Sequence, residues 1–204
     1  VCQTGPVDAV ELLLKHNADV SRATRGSGST PLQIALQNGH LDAARLLLER
    51  ALAIDERAYG RDHPEVAKTL YNLGNAYGEL GDHAKKRDML ERALAINERA
   101  HGRDHPEVAI TLTSLGDTYY YTGDHAKQCE LYERALAIKE RAYGRDHPEV
   151  AITLGNLGEA QKELGNVAEA RELLTRALAI ERPDDGLASW LREALASLPP
   201  VVGS

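Results

Sequence analysis

Three histidines, His63, His105 and His147, each sit in an Asp-His-Pro sequence, and two more, His83 and His125, each follow a Gly-Asp pair. With Cys129 and 31 Asp and Glu residues in the chain, these side chains could in principle ligate a metal ion or move protons. Spacing argues against it. The three Asp-His-Pro histidines recur at a step of 42 residues, so they occupy equivalent places in successive units. Packed helices stand roughly 10 Å apart, whereas metal ligands must converge within about 2 Å of one ion. Helix capping and loop packing account for these imidazoles instead. The glycines are isolated rather than grouped into a phosphate-binding loop. No Ser/His/Asp or Cys/His arrangement stands out, and nothing near Cys129 signals an activated thiolate, so an inert thiol is expected. No catalysis, no metal and no cofactor are expected.

What dominates the chain is repetition. Gly60-Arg61-Asp62-His63-Pro64-Glu65-Val66-Ala67 returns at residues 102–109 and 144–151. The phrase Glu-Arg-Ala-Leu-Ala-Ile keeps the same step from Glu49, Glu91 and Glu133, and becomes Thr-Arg-Ala-Leu-Ala-Ile at Thr175. Residues 49–90 and 91–132 agree at 27 of 42 positions, and 91–132 and 133–174 at 26 of 42. A fixed period of this size signals stacked units, none of which can bury its apolar face alone. A binding surface is the expected consequence, not an active site.

Within a unit the apolar spacing is helical. Val66, Leu70, Leu73 and Tyr77 fall at i, i+4, i+7 and i+11, and Val108, Leu112, Leu115 and Tyr119 repeat them. Asp62 reads as the N-cap of this first helix, with Pro64 in its first turn and Glu65 at capping-box spacing. Gly81 suits the turn into a second helix, which starts at Asp82 or His83, carries Leu90, Ala93 and Leu94 inward and stops at Gly102. On its outer face Asp88 precedes Arg92, Glu130 precedes Arg134 and Glu172 precedes Arg176 at i, i+4 spacing, which reads as a solvated surface of weak pairs.

Leu-Gly in the first helix (Leu73-Gly74, Leu115-Gly116, Leu157-Gly158) with Ala-Leu in the second resembles the tetratricopeptide repeat. The 42-residue form, with Asp-His-Pro before the first helix, resembles kinesin light chains and related bacterial and algal proteins. The resemblance covers residues 49–182 and implies an all-α, right-handed solenoid of helix-turn-helix repeats. One departure is visible: the family's small residue early in the second helix is Lys86 and Gln128 in the first two units, and only Ala170 fits. Looser packing there, or long side chains running outward over the surface, is expected.

Residues 1–48 resemble ankyrin repeats, one full unit from Ser29-Thr30-Pro31-Leu32 onward preceded by the second half of another. Gly39 lies 42 residues before Gly81, so the two repeat types share a register. One continuous helix from about Leu41 to about Ala58 is therefore predicted, fusing both into one solenoid. The start inside a half-finished repeat reads as a piece of a longer protein, and its uncovered apolar face leaves the oligomeric state open. At the other end Pro183-Asp184-Asp185-Gly186 breaks the pattern. Residues 183–204 then offer an amphipathic helix (Leu187, Trp190, Leu191, Ala194, Leu195, Leu198) and a tail. The helix reads as a cap over the last unit; the sharper alternative is a docking helix for a partner.

The family resemblance implies that the first helices line a concave groove. The positions between packing residues are Lys68, Tyr71, Asn72, Asn75 and Glu79 in the first unit. The second offers Ile110, Thr113, Ser114, Asp117, Tyr120 and Tyr121; the third Ile152, Gly155, Asn156, Glu159, Lys162 and Glu163. These positions differ between units whose loops and packing residues agree, as different contacts on a common frame would require; drift at unconstrained surface positions is the alternative. Asn72 and Asn156 match the asparagine with which the family holds a peptide main chain, Ser114 having a shorter reach. The Lys and Arg neighbours of a carboxylate-gripping member are absent, while Asp117 and Glu159 make the lining acidic. Neutral or basic extended peptides with an apolar anchor near Tyr120 and Tyr121 are the expected partners.

Composition agrees. Net charge is −7, which gives no nucleic-acid footprint, and no 18-residue apolar run offers a membrane span. Two distant cysteines fit a reducing, cytoplasmic setting. The expected function is a protein–protein interaction scaffold or adaptor. The alternatives are a regulatory or sensor arm of a larger protein whose catalytic part lies elsewhere, or a rigid spacer.

Overall fold

The computed structural model describes Ala35, residues 39–180 and residues 186–199. The first 34 residues, and with them most of the ankyrin-like stretch, lie outside the described residues. Among the described residues there are eight helices and no strand: α1 (Leu41–Tyr59), α2 (Pro64–Glu79), α3 (His83–His101), α4 (Pro106–Tyr120), α5 (His125–Tyr143), α6 (Pro148–Glu163), α7 (Val167–Ile180) and α8 (Gly186–Ser197). They fall into two compact units, Val1–Ala100 and His101–Ser204.

In the first unit α1 is one unbroken helix of 19 residues, as the shared register of Gly39 and Gly81 predicts. Its N-terminal half packs Ala43, Ala44 and Leu47 with Ala35. Its middle sets Leu48 and Leu52 against Leu73, Ala76 and Tyr77 of α2. The Tyr77 hydroxyl donates to Glu49 Oε1 at 2.6 Å, and burial with that carboxylate raises the phenol above its ordinary range. Val66, Ala67 and Leu70 meet Ala93 and Ile96 of α3. In the second unit α4 pairs with α5 and α6 with α7, and α8 lies on α7 and α6. Its main core joins Val150, Leu154, Ala170, Leu174 and Ala177 to Leu191 and Ala194 of α8 and to Leu198 just after it.

The loop before each first helix corrects the capping assignment. His63, not Asp62, is the N-cap: its Nδ1 accepts from the Glu65 N–H at 3.2 Å. His105 and His147 do the same with Glu107 and Glu149. Each cap imidazole stacks on a ring of the preceding helix end, Tyr59, His101 or Tyr143, with centroids 4.6–4.9 Å apart. Asp62 instead pairs with Arg99 at 2.8 Å, and Asp104 with Arg141 at 2.7 Å. A carboxylate that reaches the next helix cannot also fold back onto its own backbone.

The outer arginines are corrected as well. Arg92 holds Glu56 of α1 and the Arg61 carbonyl oxygen, and Arg176 holds Glu140 of α5 and the Arg145 carbonyl oxygen. The two glutamates stand on the preceding second helix, 36 residues back, so the arginines bind adjacent helix pairs together instead of decorating one helix. The acids at i−4 go elsewhere: Asp88 lies 3.8 Å from Arg87, and Glu130 holds Lys127.

The departure at Lys86 and Gln128 also has a structural answer. A Cβ added to Gly78 would stand 2.6 Å from Lys86 Cδ, so the glycine leaves room for the lysine stem. Gln128 does not run outward. It is buried, its Nε2 donating to the Tyr132 hydroxyl at 3.4 Å and its Oε1 lying 3.0 Å from His125 Nδ1. Each unit thus matches one long side chain with a partner that makes space or hydrogen bonds for it: Gly78 with Lys86, Tyr132 with Gln128.

Candidate functional site

Helical spacing puts Lys68, Asn72, Asn75 and Glu79 on one stripe of α2, with Tyr71 beside it. Lys68, Asn72 and Glu79 are exposed, and Tyr71 and Asn75 are half-buried. The capped loop before Pro64 fixes where the stripe begins, and the close approach of α3 to Gly74, whose added Cβ would meet Leu90 Cγ at 3.2 Å, fixes its rotation.

In the second unit the corresponding positions divide. Thr113 turns its hydroxyl back to the Ala109 carbonyl at 2.9 Å. Ser114 is only 7% exposed, so this position is interior and offers a peptide no contact. Asp117 is half-buried and accepts from the Tyr132 hydroxyl at 2.6 Å. Tyr132 stands where the other units have Leu90 and Leu174; burial and the Asp117 charge push its phenol far above the ordinary range. Gly116 makes room for the ring, since a Cβ there would lie 2.6 Å from Tyr132 Cε1. Tyr120 and Tyr121 are 58% and 61% exposed and meet edge to face, 5.5 Å between centroids, with His125 6.2 Å from Tyr120. Both rings keep more than half of their surface.

On α6, Asn156 is half-buried and Ile152 exposed. Glu159 and Lys162 form an ion pair at 2.8 Å, and Lys162 Nζ also reaches Ser197 Oγ of α8 at 3.3 Å. Gly155 is buried, which corrects its placement among the groove-facing residues. Its added Cβ would lie 2.6 Å from Trp190 Cζ3 and 3.1 Å from Leu191 Cδ2. The glycine stands where the other units have Tyr71 and Thr113 because α8 lays its indole there. Trp190 is the residue that sequence reasoning missed as part of this face; the loss of a side chain at Gly155 was its one signal. The acidic lining is also weaker than the sequence suggests, since Asp117 and Glu159 each already hold a partner.

Among the described residues no group of three His, Cys, Asp or Glu side chains could hold a metal ion. No described helix is long and apolar enough to cross a membrane. Cys129 is a buried free thiol, and burial, with Glu133 and Glu169 nearby, raises its pKa to about 11. At pH 8 a thiol of pKa about 11 is about one part in a thousand thiolate. In a Cys2→Ser background Cys129 should therefore react with a disulfide reagent at least a hundredfold more slowly in the native protein than in urea, followed by absorbance. Equal rates would show the site to be open.

Three matches to the tetratricopeptide repeat family model run over residues 33–97, 85–127 and 129–182, and a second model of that repeat matches residues 108–149. The chain belongs to the tetratricopeptide repeat family. A model described as ankyrin repeats (many copies) matches residues 1–48, and its overlap with the first tetratricopeptide match runs into α1. Among solved structures, a kinesin light chain-like protein of Podosopora anserina with nearly identical TPR-like repeats is 27% identical. The match covers 81% of this chain and 80% of that one, with a TM-score of 0.72. BtubC (BKLC) from P. vanneervenii is 22% identical over all of this chain and 71% of its own, TM-score 0.67. The apo form of RapI is 14% identical, covering 92% of this chain and 52% of that one, TM-score 0.70. A search of curated protein sequences finds no match. The fold is thus an all-α helical-repeat solenoid of kinesin light chain-like tetratricopeptide units. Tetratricopeptide repeat proteins are generally protein-interaction scaffolds, and their fold is typically non-catalytic.

Proposed function

We propose that this chain is an adaptor segment that holds extended, neutral or basic peptides of partner proteins along the first helices of its units. The observation that carries the reading is the pair Asn72 and Asn156. They occupy equivalent positions on α2 and α6, Asn72 exposed and Asn156 half-buried, and neither amide is engaged among the described residues. An amide offers two donors and an acceptor, the complement of an extended main chain. Lys68, Tyr71, Asn75 and Glu79 flank the first asparagine. Ile152, Glu159 and Lys162 flank the second, and Tyr120 and Tyr121 supply an aromatic anchor on α4. Exposed Glu79 and Glu163 favour cationic side chains over acidic ones. A reducing, cytoplasmic setting fits the free Cys129.

A random-peptide display selection on the intact chain, run beside an Asn72→Ala/Asn156→Ala variant, tests this. Both substitutions leave the packing side chains untouched, which Asp117→Lys would not, because Asp117 holds Tyr132. Neutral or basic peptides enriched by the parent chain and lost from the variant establish the reading. Enrichment indifferent to both asparagines, or none, points to the regulatory arm or the spacer.

A further inference from the structure

Each second helix meets the first helix of its own unit through the same few groups. On α3, Ala93 and Ile96 pack against Val66, Ala67 and Leu70 of α2, and Arg99 holds Asp62 at 2.8 Å. On α5, Ala135 and Ile138 are buried in the same way, and Arg141 holds Asp104 at 2.7 Å. One step earlier α1 carries the same groups as Ala51, Ile54 and Arg57. There they stay open. Ile54 is 46% exposed, against 2% for both Ile96 and Ile138. Ala51 is half-buried, and Arg57 is exposed, with no carboxylate holding it among the described residues. The sequence explains the difference. Forty-two residues before Asp62, Val66, Ala67 and Leu70 the chain has Val20, Thr24, Arg25 and Gly28, so neither the acid nor the Val-Ala-x-x-Leu pattern is there.

We propose that the C-terminal half of α1 docks an amphipathic helix of a partner protein, one that carries the chemistry of Asp-x-x-x-Val-Ala-x-x-Leu. Its apolar residues cover Ile54 and Ala51 as α2 covers Ile96 and Ala93, which removes exposed apolar surface from water. Its acid pairs with Arg57 as Asp62 pairs with Arg99, whereas a lysine at that place would be repelled. A second copy of this chain has no such helix to offer. The Val-Ala-x-x-Leu residues of α2, α4 and α6 are all buried against their own neighbours, and Ala188 and Leu191 of the similar segment in α8 are buried too. The face lies on α1, while the two asparagines lie on α2 and α6. It is therefore a second interaction surface, and it does not depend on the peptide-binding reading.

The probe is a labelled, capped peptide with the sequence of residues 61–81, which already fits this interface on α3. Fluorescence anisotropy against the full chain should show binding that weakens at least about tenfold with Ile54→Gln. Asp62→Lys in the peptide should weaken it about fivefold. Arg57→Glu in the chain should reverse that preference and favour the Asp62→Lys peptide, which a general loss of structure would not do. Ile54 and Arg57 are exposed, and far-UV circular dichroism checks that both variants fold. The Asn72→Ala/Asn156→Ala chain should bind the peptide as the parent does. No binding, or binding indifferent to Ile54 and Arg57, overturns the docking face and leaves the asparagine reading untouched. A dimer of the chain alone that Ile54→Gln dissociates in sedimentation assigns the face to a second copy and also overturns the proposal.

Discussion

Deleting residues 183–204 should lower the midpoint of thermal unfolding by roughly 10–20 °C and cause the protein to self-associate. The loss follows from what α8 buries. Ala188, Leu191, Ala194 and Leu198 are all interior, and three of them join the core of the second unit with Val150, Leu154, Ala170, Leu174 and Ala177. Two leucines at about 1.5–3 kcal/mol each, with the two alanines and the newly wetted faces of α6 and α7, make a loss of about 5 kcal/mol. In a domain of this size about 1 kcal/mol corresponds to roughly 2–4 °C. The exposed patch would be an uncovered apolar face of a repeat, the kind of surface that drives association. Leu191→Ala alone should cost about 2–5 kcal/mol. Melts by circular dichroism and size-exclusion chromatography read both effects, and an unchanged midpoint for the deletion would mean that α8 holds nothing in place.

Gly116→Ala should destabilise the chain by about 1–3 kcal/mol, although alanine is the better helix former. In an unconstrained helix the exchange would gain about 0.5–1 kcal/mol. Here the added methyl would stand 2.6 Å from Tyr132 Cε1 and 2.9 Å from Cδ1. The ring cannot move aside cheaply, because Tyr132 is buried and its hydroxyl is held by Asp117 at 2.6 Å with Gln128 at 3.4 Å. Overpacking of a fixed ring outweighs the gain in propensity. Gly186→Ala, where an added Cβ meets nothing within 4 Å, is the control and should change stability by less than about 0.5 kcal/mol. Chemical denaturation of both variants decides it; a Gly116→Ala chain as stable as the control would mean that α4 and α5 have room to separate.

Much of this protein was legible before any fold was known. The 42-residue step, the i, i+4, i+7 spacing of Val66, Leu70 and Leu73, and the glycines that end each helix set the helices to within a residue or two. The common register of Gly39 and Gly81 carried α1 through the change of repeat type. These are local properties: a helix face and a turn are settled by residues within a few positions of one another. The exposure of the α2 stripe was likewise readable, because the residues that pack leave the remaining positions to solvent.

Tertiary structure decided what lies between helices. Asp62 looks like a cap in sequence, but Arg99, 37 residues on, takes it and leaves the backbone N–H to His63. Arg92 and Arg176 have acids at i−4 and bind others 36 residues back, because a partner fixed on a packed neighbour needs less side-chain ordering than a mobile one on the same exposed face. Ser114 and Gly155 read as groove residues and are interior, and Asp117 reads as free acid and is held by Tyr132. In each case the deciding neighbour stands on another helix, at a separation that periodicity alone does not encode. The sequence determined the repeat, its helices and which face of α2 stays exposed; the packing of α5 and α8 decided which of the equivalent positions on α4 and α6 are interior.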